Sequence, residues 1–180
     1  DPKHADLFIL HFNDESDRVV NAAANALGKT KSPKAFKALL KLKDKPSWKN
    51  QSLISALNGL RELGDPRGAV LALDALKDEK AAPRWALATP IWDFRLAAAE
   101  TLVALGKGQE GYLSTYQRFT KAMVENDIND IFSNVLLMVT LSDSRGLEVF
   151  PALREKFRND ANAMKAVEGY EEQLRATLNN

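Results

Sequence analysis

Apolar residues recur along most of the chain at positions i, i+3, i+4 and i+7, the spacing of an amphipathic helix. Such stripes occupy 20–27, 53–60, 112–119 and 128–135, and a longer one covers four turns at 91–105. No clear run of alternating β-branched residues lies among them. The pattern therefore predicts an all-α chain.

A short polar signature recurs beside these stripes. It reads Asp1-Pro2-Lys3, Ser32-Pro33-Lys34, Asp65-Pro66-Arg67 and, without proline, Asp143-Ser144-Arg145, with a degenerate copy near 107–109. Asp and Ser side chains accept hydrogen bonds from free N–H groups at helix starts, and proline suits the first helical position. Each signature thus predicts a helix start, and with the preceding stripe it forms a helix–turn–helix unit of roughly 33 to 42 residues.

A helix pair of this size cannot bury its own apolar face, so successive pairs must stack. The pattern Asp17-Arg18-Val19-Val20-Asn21-Ala22-Ala23 leading to Ala26-Leu27-Gly28, and the turn Leu63-Gly64-Asp65-Pro66-Arg67, resemble HEAT repeats of the short bacterial type. The resemblance covers nearly the whole chain. It implies a right-handed α-α superhelix of about ten helices in one continuous domain, and it is almost silent about activity.

Three segments depart from the regular repeat. Asp1-Pro2-Lys3 opens the second helix of a unit, so we expect residues 1–180 to form one domain that begins in mid-repeat. The alternative is that residues 1–12 form an N-terminal cap helix. Prolines predict an irregular insertion at 78–92, and the stripe near the end predicts a C-terminal capping helix at 160–178. Its expected outer face carries Glu168, Glu171, Glu172 and Arg175.

Composition excludes several kinds of chemistry. The 180 residues include 25 basic and 24 acidic side chains, a formal net charge of +1, and no cysteine, which excludes a disulfide framework, a thiolate zinc site and a cysteine nucleophile. His4 and His11 match no zinc motif, and no glycine-rich phosphate loop is present. We therefore expect a chain that is not an enzyme and holds no cofactor or metal. The longest uncharged apolar stretch, 131–142, is too short to span a bilayer.

The charge is unevenly distributed. Residues 29–49 contain eight lysines against one aspartate, whereas residues 125–180 hold six basic and ten acidic side chains. Lys34, Lys37 and Lys41 fall at i, i+3 and i+7 and are the candidate anion-binding residues. The alternative, which we favour, is a solvated outer face, because the stripe lacks arginine and interleaved aromatic residues.

Two groups of residues are candidates for binding another protein. One lies in the densely apolar first segment and comprises Leu7, Phe8 and Phe12; the other lies at the insertion and comprises Arg84, Trp85 and Trp92. Tryptophan and arginine are enriched in binding hot spots. The alternative for the insertion is that it folds onto the solenoid and buries both rings. For Trp48 we expect a packing role.

The function predicted from these features is a non-catalytic helical module that packs against or recruits another protein surface. The expected partner is the upstream part of its own polypeptide, with this chain as the C-terminal domain. Segments 92–95, 129–134 and 162–164 are similar to the C-terminal tails of some bacterial zinc aminopeptidases of the aminopeptidase N family. That resemblance implies a catalytic zinc site upstream and none here, because the family's zinc and Gly-Ala-Met-Glu-Asn motifs are absent.

A nucleic-acid-binding solenoid is the third hypothesis and ranks below both others. It requires the lysine stripe and Trp85 or Trp92 to share the concave face. The lack of cysteine is compatible with a bacterial envelope location and with the cytoplasm.

Overall fold

A computed structural model of the chain describes residues 1–77 and 94–179. This part contains ten α-helices and no β-strand, so the predicted all-α fold class is confirmed. The helices are α1 (Ala5–Leu10), α2 (Asp17–Lys29), α3 (Ala35–Leu42), α4 (Gln51–Leu63), α5 (Gly68–Lys77), α6 (Phe94–Ala104), α7 (Gly108–Glu125), α8 (Ile128–Leu141), α9 (Phe150–Phe157) and α10 (Ala161–Leu178). Short 3-10 helices cover Pro2–His4, His11–Asn13, Trp48–Asn50 and Ser144–Val149.

The helices are arranged in two layers. In one layer α2, α4, α6, α8 and α10 each pack against the next member. The other layer consists of α1, α3, α5, α7 and α9, each of which packs on the even-numbered helix that follows it. This stacking of helical pairs is compatible with a helical solenoid, and the right-handed sense of the superhelix stays a prediction.

The core follows the stripes read from the sequence. Three clusters of buried apolar side chains succeed one another, the first within residues 5–60, the second within 54–141 and the third within 112–174. Leu71 packs against both the first and the second cluster. Because each cluster takes side chains from neighbouring units, no unit completes its core alone.

The recurring signature forms the predicted turns. The carboxylates of Asp1, Asp65 and Asp143 each accept a hydrogen bond of 3.0 Å from the N–H two residues ahead. Ser32 accepts the corresponding bond at 3.4 Å. Pro151 lies in the first turn of α9, which starts at Phe150 directly after a 3-10 helix that ends at Val149. Proline is tolerated there because its missing N–H has no partner within the helix.

The last helix departs from the prediction at one residue. Asp160 caps α10 by accepting hydrogen bonds from the N–H groups of Asn162 and Ala163, both at 3.0 Å. Glu171, expected on the outer face, is only 9% exposed. Its carboxylate binds the guanidinium groups of Arg175, at 2.7 Å, and Arg154. The expected exposure of Glu171 is wrong, because the guanidinium groups of the two arginines cover its carboxylate.

Candidate functional site

A groove lies between the first segment of the chain, around α1, and helix α3. Its volume is about 700 Å³. The apolar floor consists of Ile9, Phe12, Ala38 and Leu42. Four lysines form the rim, Lys34, Lys37, Lys41 and Lys45. We call this feature the lysine groove.

Helix α3 places the rim lysines because its two faces differ in character. Ala35, Leu39 and Leu42 are buried in the first core cluster. That burial turns the opposite side of α3 toward solvent and toward α1. Side chains three or four residues apart then lie above one another on this side. The stripe predicted from spacing is therefore present as one row.

The lysines at the two ends of the row are bound to the first segment. The ammonium group of Lys34 contacts both carboxylate oxygens of Asp6, at 2.8 and 2.9 Å. The ammonium group of Lys45 donates to the backbone oxygen of Phe12, at 2.6 Å, and to Oδ1 of Asn13, at 2.5 Å. These contacts join α3 to the segment around α1 at both ends of the groove.

The two middle lysines differ from their neighbours. Lys37 and Lys41 are exposed, and within the described part of the chain neither makes an ion pair or a side-chain hydrogen bond. Their charges are solvated and available. The middle of the groove therefore combines two free ammonium groups with an apolar floor.

The structure divides the candidate residues of the first segment. Leu7 is 52% exposed, and Leu10, one turn later, is 66% exposed. Phe8 is half-buried, whereas Phe12 is buried in the first core cluster and contributes only its groove-facing surface. The first segment therefore presents two separate surfaces. Leu7 and Leu10 form an exposed apolar surface, and the other side of the segment lines the lysine groove.

The candidates Arg84, Trp85 and Trp92 lie outside the described residues, as does the predicted insertion at 78–92.

Trp48 contradicts the expected packing role. Its side chain is 65% exposed, at the rim of a smaller polar pocket that shares Phe12, Asn13 and Lys45 with the lysine groove. The ammonium group of Lys49 lies 3.9 Å from the centre of the Trp48 ring. Lys49 and the next residue, Asn50, both have left-handed backbone conformations, with φ of 52° and 57°. At this turn the Trp48 ring points into solvent, and helical spacing in the sequence does not predict that exposure.

Buried charge occurs elsewhere, at the junction of α6, α7 and α8. Asp130 accepts from Arg118 Nε at 3.2 Å and lies 3.5 Å from an Arg95 guanidinium nitrogen. Arg95 is fully buried. The Asp127 carboxylate accepts from the Asp130 N–H at 3.1 Å and caps the start of α8. These contacts connect the three helices.

Within 1–77 and 94–179 no group of three or more His, Cys, Asp or Glu side chains is placed to hold a metal ion. His4 and His11 are both exposed. Over the same residues, no helix combines the length and the apolar character needed to cross a bilayer.

Fold and site together define an all-α protein of stacked helical pairs with a basic, apolar-floored groove in its first unit. No protein-family model matches the chain, and no curated protein matches it.

Proposed function

We propose that this chain is a non-catalytic helical-repeat module that packs against or recruits another protein surface, and that it binds this surface through the lysine groove. The supporting observation is the pair of free lysines, Lys37 and Lys41, beside an apolar floor. A volume of about 700 Å³ is in the range of pockets that bind ligands or side chains. Exposed apolar surface rimmed by charge is typical of interaction sites.

The chemistry of the lining favours binding over catalysis. Apart from the lysines, the polar side chain of the described lining is the amide of Asn13. Nucleophilic and general acid–base catalysis need a nucleophile and a base placed side by side, and the described lining contains no serine, threonine, histidine or carboxylate beside the lysines. Ammonium and amide groups instead bind anions and hydrogen-bonding partners.

Site-specific photo-crosslinking in the source cells tests this function. A photoreactive residue replaces Pro33, which lines the groove and is exposed, so the floor stays open. In a matched variant it replaces Glu168, which is exposed on α10. We expect one defined adduct from position 33 and none from position 168. An adduct from position 168 alone, or from neither position, would contradict a docking role for the groove.

The finer identity of the module is a second part of the proposal. The stacked pairs and the signature turns support HEAT-type repeats. If the chain is the C-terminal region of a zinc aminopeptidase, as the likeness at 92–95, 129–134 and 162–164 implies, the partner surface belongs to the same polypeptide. An antibody against this chain tests it: a native band well above 19.9 kDa supports a larger polypeptide, and a band near 19.9 kDa contradicts it.

A further inference from the structure

The free positive charge of the lysine groove is confined to its middle. Lys34 and Lys45 are bound to Asp6, Phe12 and Asn13, so their charges are partly compensated. Lys37 and Lys41 are four residues apart on α3, which separates them by about one helical turn along its axis. A complementary ligand therefore needs two negative charges separated by about the same distance.

The floor sets a second requirement. Carbon atoms of the half-buried Ile9 and Ala38 line it, with a small remaining surface of the buried Phe12 and Leu42. An occupant that leaves this floor in contact with water gains only the weak attraction of solvent-exposed ion pairs. Apolar side chains that enter the groove add the larger hydrophobic contribution. The ligand must therefore carry apolar groups and two carboxylates on adjoining faces.

An amphipathic helix meets both requirements. Carboxylates at i and i+4 on a helix are separated like Lys37 and Lys41, and an apolar stripe beside them can fill the floor. A fatty acid supplies one carboxylate instead of two, and a nucleic acid supplies phosphates without aliphatic side chains. We propose that the lysine groove binds an acidic amphipathic helix of another protein, with its carboxylates on Lys37 and Lys41 and its apolar stripe on the floor. This inference rests on the proposed function and names the chemistry of the partner.

A second copy of the chain fits less well. Helix α10 exposes Glu168 and Glu172, which are also separated by one turn. The exposed residues beside them, Lys165, Gly169 and Gln173, include no large apolar side chain. Such a face could meet the lysines but would leave the floor uncovered.

A designed peptide gives a direct test with the whole 180-residue chain. The probe is a helical peptide of about 18 residues, with leucine along one stripe and glutamate pairs at i and i+4 beside it. Binding is measured by fluorescence anisotropy at low and at near-physiological salt. We expect saturable one-to-one binding that weakens with salt. We expect at least about tenfold weaker binding when the glutamates become glutamine or the leucines become serine.

Protein variants locate the peptide. Lys37→Glu with Lys41→Glu should weaken binding at least about tenfold, because attraction becomes repulsion at both positions. The matched control, Lys29→Glu with Lys165→Glu, makes the same change in net charge at exposed lysines outside the groove and should change affinity less than about twofold. Ala38→Phe fills the floor without changing charge and should also weaken binding strongly. Circular dichroism melts check that each variant is folded.

Several results would overturn the proposal. These are equal loss in both double-lysine variants, no effect of filling the floor, or undiminished binding of the peptide in which glutamine replaces glutamate. Failure of the peptide together with binding of duplex DNA, of dodecanoate or of phosphatidylglycerol vesicles would assign the groove to another ligand class, and concentration-dependent dimerisation would assign it to a second copy. If the peptide fails while position 33 still crosslinks a protein, the docking function stands and only the acidic-helix partner is wrong.

Discussion

At the scale of single residues, the signature turn contains an ion pair as well as a cap. In the last signature, Arg145 donates to the Asp143 carboxylate through its backbone N–H, at 3.0 Å, and through Nε, at 2.9 Å. Hydrogen bonds from this side chain, and then from the backbone N–H, lower the pKa of Asp143. Arg67 lowers the pKa of Asp65 in the same way. The guanidinium group of Arg145 also lies over the ring of Tyr112. Burial raises the pKa of Tyr112 to about 12.

We expect Asp143→Asn to destabilise the protein in a pH-dependent way. Loss of the charged cap should cost about 1–2 kcal/mol near neutral pH. The folded pKa of Asp143 is lowered, so its stabilisation is complete above the unfolded value of about 3.9 and disappears as the pH falls through the folded pKa. The difference in Tm between the wild type and the variant should therefore shrink below about pH 4.

The control for this experiment is Asp74→Asn. Asp74 is exposed on α5, and within the described residues it makes no ion pair. Its variant should melt close to the wild type throughout. A Tm difference for the Asp143 variant that persisted unchanged in strong acid would show that the ionised carboxylate is not what stabilises the turn.

At the scale of elements, helices α2 and α4 approach each other closely because glycines meet at their crossing. A Cβ atom on Gly28 would lie 2.2 Å from the backbone oxygen of Gly59. A Cβ atom on Gly59 would lie 2.8 Å from the backbone oxygen of Ala24. Backbone atoms cannot yield as a flexible side chain does, so this packing requires glycine.

Gly28→Ala should therefore destabilise the protein, although alanine favours a helix. Overpacking typically costs about 1–3 kcal/mol, which exceeds the gain of about 0.5–1 kcal/mol from replacing glycine within a helix. Gly169→Ala on α10, where a Cβ atom would meet nothing within 4 Å, should show that gain. Urea unfolding of both variants measures the change in the free energy of unfolding, which we expect to be a loss for Gly28→Ala and a gain for Gly169→Ala. A stabilised Gly28 variant would disprove the close approach of the two helices.

At the scale of the whole molecule, successive units share their cores. Leu57 and Leu102 are fully buried in the central cluster, which takes side chains from α4, α5, α6 and α8. Thr101 Oγ1 donates to the backbone oxygen of Leu57 at 3.1 Å and joins α6 to α4. A destabilising substitution in this cluster should therefore also destabilise the neighbouring units.

Leu57→Asp and Leu102→Asp should each unfold the units around them, because each buries an unpaired charge. Lys37→Glu should leave the Tm nearly unaltered, because this lysine is exposed and has no partner within the described residues. Thermal melts followed by circular dichroism compare the three. Equal damage from the lysine variant would mean that the buried and exposed faces have been assigned wrongly.

The candidate site could be predicted only in its parts. Helical spacing placed Lys34, Lys37 and Lys41 in one row, and the apolar composition of the first segment singled out Phe12. These appeared as separate candidates, an anion stripe and an apolar surface, because local periodicity does not report which segments meet. Lys45 and Ile9 were missed for the same reason, and both line the lysine groove.

Periodicity, capping and proline geometry act within a few residues along the chain, so the all-α class, the helix pairs and the signature turns follow from local sequence. The packing of separate helices set which charged side chains are paired and which stay free. It buried Arg95 and Glu171 against partners distant in sequence, exposed Trp48, and bound the end lysines of the row while leaving Lys37 and Lys41 free. Those outcomes depend on contacts between separate helices, which spacing along one helix cannot specify.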